Sequence, residues 1–289
     1  MKALGSYMFG FAIAAWCASA YGQPRSPSEP SLVGHVDSAL AVLVRLQKEI
    51  VDIHPLLVIL QPVAVVDGEE MYIFDVDSLH AGYTLVKKTP VPFPMEKGIR
   101  ASFPLSTYGG KPTCVVTPEV FDDREGYATL FHEFIHCAQF QTVEPGLKQH
   151  LEIAQQAAKA NNYSWEIMHA FPYQDSTFIE RYGSFLKALQ TGDRKGVDES
   201  LQALKRQLSK TDYEYMVWEE WKEGFARLIE NKIRARLGVP PNQGGIERPY
   251  NRVTFYAGGE LFIHFLVWHD EDLLTDMNEL FARMLEGTD

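Results

Sequence analysis

The chain has 289 residues, of which 46% are hydrophobic and 12% aromatic, so it can bury one generous core or two lobes that share a cleft. Its net charge of −11 at pH 7 argues against nucleic acid as a partner, because phosphate binding requires a cationic face. Low-complexity segments and long charge blocks are absent, which argues against extensive intrinsic disorder.

The N-terminus has the pattern of an export signal. Lys2 precedes a short apolar run from Met8 to Ala18, and Ala18-Ser19-Ala20 is the small-x-small sequence that signal peptidase accepts. The run is shorter than the about 20 apolar residues of a membrane-spanning helix, although an uncleaved anchor is the alternative. We therefore predict a signal peptide at residues 1–20, cleavage after Ala20, and a secreted or periplasmic protein without stable membrane insertion after cleavage.

A flexible leader rich in proline and serine at residues 21–30 precedes the first predicted helix, Leu32–Ile50, in which apolar residues recur every three or four positions. Short apolar and β-branched runs then predict strands, and Asp67-Gly68 predicts a hairpin turn. The predicted strands are Leu56–Leu60, Val63–Val66, Met71–Val76, Tyr83–Val86, Ile99–Phe103 and Cys114–Val116.

After Pro118 the pattern is mainly helical to the end of the chain. The predicted helices are Asp122–Thr142, Gly146–Asn161, Ser176–Gln190, Arg194–Ser209, Asp212–Gly238, Val253–His269 and Glu271–Glu286. Strands followed by helices are typical of an α+β fold. We therefore predict an N-terminal helix and sheet-rich part at residues 31–121, and a helical part at residues 122–289, with a cleft between them.

The first helix of the helical part contains the pattern H-E-x-x-H at His132-Glu133-Phe134-Ile135-His136. Residues four apart lie on one face of a helix, so both imidazoles can bind the same Zn²⁺ ion. Glu133 lies about 100° around the helix from His132, where its carboxylate can act as general base on a zinc-activated water. A chance occurrence on an ordinary helix is the alternative, and a third ligand is needed to decide.

Candidates for this third ligand lie in the predicted helix Asp212–Gly238, which contains Glu219, Glu220 and Glu223. Gly224 costs about 1 kcal/mol relative to alanine in the middle of a helix, which favours a close approach there to a metal or to another helix. The alternative for each glutamate is a solvated helix face. Further along this helix, Arg227 could orient Glu223 or lie exposed, and Glu230 is a candidate to support the ligands.

Two elements of this region resemble gluzincin-type zinc metallopeptidases of the aminopeptidase N family. Glu223-Gly224-Phe225-Ala226 is similar to the family's E-G-F-A element, and Tyr256-Ala257-Gly258-Gly259 is similar to its Y-x-x-G element. With H-E-x-x-H, they occur in the family's order. The resemblance implies a thermolysin-like zincin fold with zinc in the cleft. It also implies the site residues: the metal ligands His132, His136 and Glu223, the catalytic base Glu133, and Tyr256 as the group that stabilises the oxyanion.

The chain departs from that family in two respects. A much longer segment separates His136 from Glu223, and inserted helices at about residues 142–211 would explain it, because surface insertions cost little free energy. The G-x-M-E-N element, by which those aminopeptidases hold the free N-terminus of the substrate, is absent. The resemblance therefore supports the family's metal chemistry in this chain more strongly than its exopeptidase specificity.

These patterns predict a zinc metallopeptidase that hydrolyses peptide bonds in a peptide or protein substrate. One alternative is a zinc hydrolase acting on a non-peptide substrate. Another is a non-catalytic zincin-like binding protein, against which Glu133 argues because a structural zinc site needs no base. Cys114 and Cys137, which remain after signal cleavage, allow one disulfide or two buried thiols. His264 is predicted to be a buried histidine rather than a ligand.

Overall fold

A computed structural model describes residues 32–77 and 82–287. The chain has an α+β fold, in which one five-stranded sheet is followed by a mainly helical part. Within the described residues, no helix combines the length and the apolar character needed to cross a membrane. The predicted signal peptide and leader lie outside the described residues and stay predictions.

The N-terminal part begins with α1 (Leu32–Ile50), which has the predicted bounds because one apolar stripe along it is buried. The strand predicted at Leu56–Leu60 is wrong, since a 3₁₀-helix occupies Pro55–Val58. The fixed φ of Pro55 suits the first position of a helical turn, and the His54 side chain accepts a hydrogen bond from the backbone N–H of Leu56. These local features outweigh the apolar character of the segment.

The sheet consists of β1 (Val63–Asp67), β2 (Glu70–Asp77), β3 (Gly82–Pro90), β4 (Arg100–Leu105) and β5 (Lys111–Val116). Its strand order is β3-β2-β1-β5-β4; β1 and β5 are parallel, and the other neighbours are antiparallel. The predicted turn at Asp67-Gly68 is confirmed, because Asp67 pairs with Glu70 in the β1–β2 hairpin. Gly68 supplies the positive φ of 61° that this turn requires. The order leaves β4 at one edge of the sheet.

The helical part comprises α2 (Arg124–Thr142), α3 (Glu144–Lys148), α4 (Glu152–Lys159), α5 (Trp165–Met168), α6 (Ser176–Thr191), α7 (Arg194–Gln207), α8 (Lys210–Leu237), α9 (Arg252–His269) and α10 (Met277–Glu286). Two predicted helices are each interrupted. The helix predicted at Gly146–Asn161 is divided into α3 and α4, and the buried carboxylate of Glu214 accepts a hydrogen bond from the Ile153 N–H after the break. The helix predicted at Glu271–Glu286 begins as a 3₁₀-helix, and the Asp276 side chain then caps α10.

α8 is the central helix, since it packs against α2 on one side and α9 on another. Its contact with α9 explains Gly224: a Cβ atom there would overlap the backbone of Gly259, and a Cβ atom at Gly259 would overlap the carbonyl of Glu220. The predicted close approach at Gly224 is therefore to another helix. The prediction for His264 on α9 is wrong, because this residue is exposed.

Candidate metal centre

The two histidines of the H-E-x-x-H pattern are positioned by α2, which lies against β4 and β5 on one side and α8 on another. Asp123 begins this helix, since its side chain accepts a hydrogen bond from the Gly126 N–H at 2.8 Å. His132 and His136 are each only 7% exposed. Because they are four residues apart, both rings extend from the same face of α2, toward α8.

The structure brings His132, His136 and Glu223 together, as the resemblance to gluzincins implies. The Nε2 atoms of the histidines lie 3.0 Å apart, and the Glu223 Oε2 atom lies 3.1 Å from the His136 Nε2 and 3.6 Å from the His132 Nε2. Ligand atoms about 2.0–2.1 Å from a tetrahedral ion lie about 3.3 Å from one another. The three separations therefore have the size expected of the first three ligands of a tetrahedral ion.

The hydrogen bonds of the two Nδ1 atoms determine which ring nitrogens face the point between His132, His136 and Glu223. The His132 Nδ1–H donates to the Glu230 Oε2 atom at 3.0 Å, because a carboxylate can only accept. The His136 Nδ1–H donates to the Gln139 Oε1 atom at 2.8 Å, since the Gln139 Nε2 donates to the Lys222 carbonyl. In neutral histidines both Nε2 atoms then carry lone pairs. Together with the Glu223 Oε2 atom, these lone pairs converge on one point, and the residues present therefore fit a metal cation.

The electrostatics of these residues also favour a positive charge at this point. Burial lowers the pKa of His132, but the hydrogen bonds to Glu223 and Glu230 outweigh burial and raise it to about 10. Burial raises the pKa of Glu223, but the two histidines outweigh this effect and hold it well below the usual range. Burial also raises the pKa of Glu230, yet His132 and Arg234 bring it to about 2. The group thus stabilises a bound cation, whether a proton or a metal ion.

Glu133 lies beside this group on α2 and lines the adjoining cavity. It is 7% exposed, yet its carboxylate forms no hydrogen bond or ion pair with any residue in the described ranges. A carboxylate in this position is available to accept a proton from a water molecule in the cavity. Glu133 thus lies next to the group of His132, His136 and Glu223 without belonging to it.

Tyr256 is connected to Glu223 through Arg252, a residue that no sequence pattern singles out. The Arg252 Nη2 atom donates to the Glu223 Oε1 atom at 2.9 Å, and its Nη1 donates to the Tyr256 hydroxyl oxygen at 2.7 Å. The Arg252 Nε atom also lies 2.7 Å from the Glu219 Oε2. One guanidinium thus fixes the carboxylate of Glu223 and the phenol of Tyr256 relative to each other.

The other glutamates of α8 considered as ligands are not in the metal group. Glu219 and Glu220 are both completely buried, so the solvated-face interpretation is wrong for them. Burial raises the pKa of each to about 8. Glu219 pairs with Arg252, and Glu220 accepts a hydrogen bond from the Tyr182 hydroxyl at 2.5 Å. Their roles are therefore to support the site and the core, whereas Glu223 is the carboxylate that meets the histidines.

A cavity of about 1120 Å³ opens beside the metal group. Its walls include α2, α8 and the edge strand β4, of which residues 100–104 line the cavity. Glu133, Glu223 and Tyr256 all line the same space. A molecule bound in this cavity could therefore contact Glu133, Glu223 and Tyr256 together.

Cys114 and Cys137, the two cysteines among the described residues, are free thiols, and both are buried. Burial raises the pKa of the Cys137 thiol, and the charge of Glu133 raises it further. Cys137 is therefore a neutral thiol beside the site rather than a nucleophilic thiolate.

Comparisons of the chain with protein families, with curated proteins and with solved structures found no match. The resemblance to gluzincins therefore stays an expectation from three short sequence elements. Function has to be inferred from the chemistry of the site.

Proposed function

We propose that the protein is a zinc-dependent metallopeptidase in which His132, His136 and Glu223 hold the zinc ion. The observation that carries this proposal is the convergence of three lone-pair donor atoms, 3.0 to 3.6 Å apart, beside the unpaired carboxylate of Glu133. Histidine and carboxylate donors in this number and spacing suit Zn²⁺.

When bound, zinc would supply Lewis-acid chemistry, polarising a carbonyl group and lowering the pKa of a water molecule. The carboxylate of Glu133 accepts a proton from the attacking water and returns it to the leaving amine. Arg252 donates to the hydroxyl oxygen of Tyr256 at 2.7 Å, which leaves the hydroxyl hydrogen of Tyr256 free. That hydrogen can be donated to the oxyanion that develops on the substrate carbonyl.

A peptide substrate is favoured by the position of β4. This strand is at the edge of the sheet and lines the cavity, so its unpaired backbone groups can bind an extended chain as an added strand. The cavity volume of about 1120 Å³ lies near the upper end of the roughly 300–1,000 Å³ typical of small-molecule pockets, so it leaves room for a peptide. The edge strand is the observation that supports a peptide over a small non-peptide ester.

The same arrangement supports a thermolysin-like fold as part of the proposal. An edge strand runs beside the helix that carries both histidines, and a separate helix, α8, carries the third ligand. The zinc site would then lie in the cleft between the sheet and the helical part.

The test replaces Glu133 by Gln and measures both zinc content and hydrolysis of a mixed peptide library. Zinc should be retained while hydrolysis falls by at least about 100-fold, the size of a general-base contribution. Glu199→Gln is the matched control, because the Glu199 side chain is 68% exposed on α7. Wild-type hydrolysis rates in the Glu133→Gln variant would refute the mechanism. Zinc binding by a wild-type protein that cleaves only esters, or nothing, would favour the non-peptide or the non-catalytic alternative.

A further inference from the structure

Arg227 is a buried cation on the cavity wall. It follows Glu223 by four residues on α8, so the two side chains leave the same face of the helix. Arg227 is 4% exposed and lines the cavity, and its Nη1 atom donates to the Gly244 carbonyl at 2.6 Å. The predicted alternative of an exposed Arg227 is therefore wrong.

The charge of Arg227 has no ion-pair partner among the residues that the structure describes, and its Nε atom has no hydrogen-bond partner there. The acidic residues whose charges act on it are Glu223, Glu230 and Glu260, and each of them is bound to other side chains. The guanidinium carbon of Arg227 lies 5.1 Å from the centre of the Tyr256 ring, a cation–π contact. A buried cation without an ion pair is nevertheless costly, and an anion bound in the cavity would offset that cost.

Arg100 of β4 lies at the same end of the cavity as Arg227. α2 and α8 are antiparallel, because His136 meets Glu223 while His132 meets Glu230. Arg227 therefore lies toward the Glu230 end of the cavity. The Arg100 Nη1 atom lies 3.4 Å from the Thr129 hydroxyl, one helical turn before His132, which is the same end.

The cations at the opposite end of the cavity are neutralised by ion pairs. Its two lysines, Lys148 and Lys222, are each paired with both Glu144 and Glu166 at 2.7–3.1 Å. Arg100, by contrast, is exposed and forms no ion pair with a described residue. Among the described residues that line the cavity, guanidinium groups without an ion pair therefore lie at one end only.

We infer that Arg227, with Arg100, forms a subsite that binds a carboxylate of the substrate. This inference rests on the proposed peptidase function and names its substrate class: peptides with a carboxylate close to the cleaved bond, either a free C-terminus or an Asp or Glu side chain. A guanidinium matches a carboxylate with two parallel hydrogen bonds. One helical turn is about 5.4 Å and one extended residue about 3.3–3.6 Å, so the carboxylate would lie about one or two residues from the cleaved bond.

The test uses two pairs of peptides, one differing only in a C-terminal acid or amide and the other only in an internal Asp or Asn. Binding is measured by fluorescence anisotropy to the zinc-loaded Glu133→Gln variant, which separates recognition from hydrolysis. The charged member of at least one pair should bind about tenfold or more tightly, as expected for a charge-assisted contact. The pair that shows the preference identifies the source of the carboxylate.

Arg227→Gln in the same background should reduce this preference to less than about threefold. Arg100→Gln should reduce it as well, and this exposed position on the edge strand provides a variant that does not depend on burial. Arg206→Gln, an exposed arginine on α7, is the matched control and should leave the preference unchanged. Zinc content and circular dichroism establish that each variant is folded.

Equal binding of the two members of both pairs would overturn the subsite. So would a preference that both Arg227→Gln and Arg100→Gln retain, because the metal ion alone would then be its cause. Wild-type protein that cleaves peptides without preferring the charged members contradicts the subsite but not the peptidase proposal. Wild-type protein that cleaves none of them, while Glu133→Gln binds the charged members more tightly, contradicts the peptidase proposal but supports the subsite.

Discussion

Glu230 provides a sensitive test of how the metal ligands are held. Its Oε2 atom accepts the Nδ1–H of His132 at 3.0 Å, and its Oε1 atom accepts from the Arg234 Nε at 2.6 Å. In Glu230→Gln the side-chain oxygen can accept from only one of these donors, because the amide nitrogen would face the other. The charge that makes His132 a better donor to the metal is also lost.

The expected loss of zinc affinity follows from these two contacts. Loss of a residue that supports a metal ligand weakens metal binding by about 10–100-fold, or about 1.4–2.7 kcal/mol. We therefore expect the Kd for zinc to rise by this factor in Glu230→Gln. Glu223→Ala should have a larger effect, because it removes a ligand rather than its support.

Zinc affinity is measured by competition with a fluorescent chelator, together with the thermal stability of the metal-free variants. Glu260→Gln is the matched control, since Glu260 accepts a hydrogen bond from Asn231 and, among the described residues, forms none with His132, His136 or Glu223. Zinc binding by Glu230→Gln as tight as in the wild type, or a larger effect in Glu260→Gln, would refute the reasoning.

Three further predictions concern the surroundings of the site. Gly259→Ala should lower the free energy of unfolding in urea by about 1–3 kcal/mol or more, because its Cβ would overlap the Glu220 backbone. Gly146→Ala is the control and should not be destabilising, because there is open space around Gly146. Arg252→Met should lower both kcat, measured by steady-state kinetics, and zinc affinity, measured by chelator competition. Arg252→Lys should recover part of the zinc affinity but not the hydrogen bond to Tyr256, so kcat should stay low. The pKa of Glu220 is raised from 4.5 to about 8 by burial, so the folded protein holds a proton there that the unfolded chain releases. Its contribution to stability is complete below pH 4.5 and is lost as the pH rises through 8, and urea titrations from pH 6 to 9 should show a shallower decline in Glu220→Gln.

The parts of the site that were predicted from the sequence depend on short-range spacing. His132, Glu133 and His136 follow from the geometry of one helix, and α1 follows from its apolar stripe. Glu223 was predicted from the family resemblance, because no periodicity in the sequence links it to the histidines on the distant helix α2. Gln139 could have been found, since it follows His136 by three residues on the same face of α2.

The parts that were missed depend on tertiary contacts. Arg252 has no special place in the sequence, and its role arises only because α9 crosses α8 closely at Gly224 and Gly259. Glu219 looks like an ordinary surface glutamate until this crossing buries it. The wrong prediction of a strand at Leu56–Leu60 has the opposite cause. Pro55 favours a 3₁₀-helix locally, and this preference outweighs the apolar run.

The most direct test of the metal centre is the zinc content of purified protein, measured by mass spectrometry for wild type, Glu223→Ala and Glu219→Ala. The wild type should hold one zinc ion per chain, Glu223→Ala should lose most of it, and Glu219→Ala should retain more than Glu223→Ala because Glu219 contacts the site only through Arg252. A wild-type protein that holds no zinc after purification with added zinc, or a Glu223→Ala variant that holds it as well as the wild type, would contradict the account.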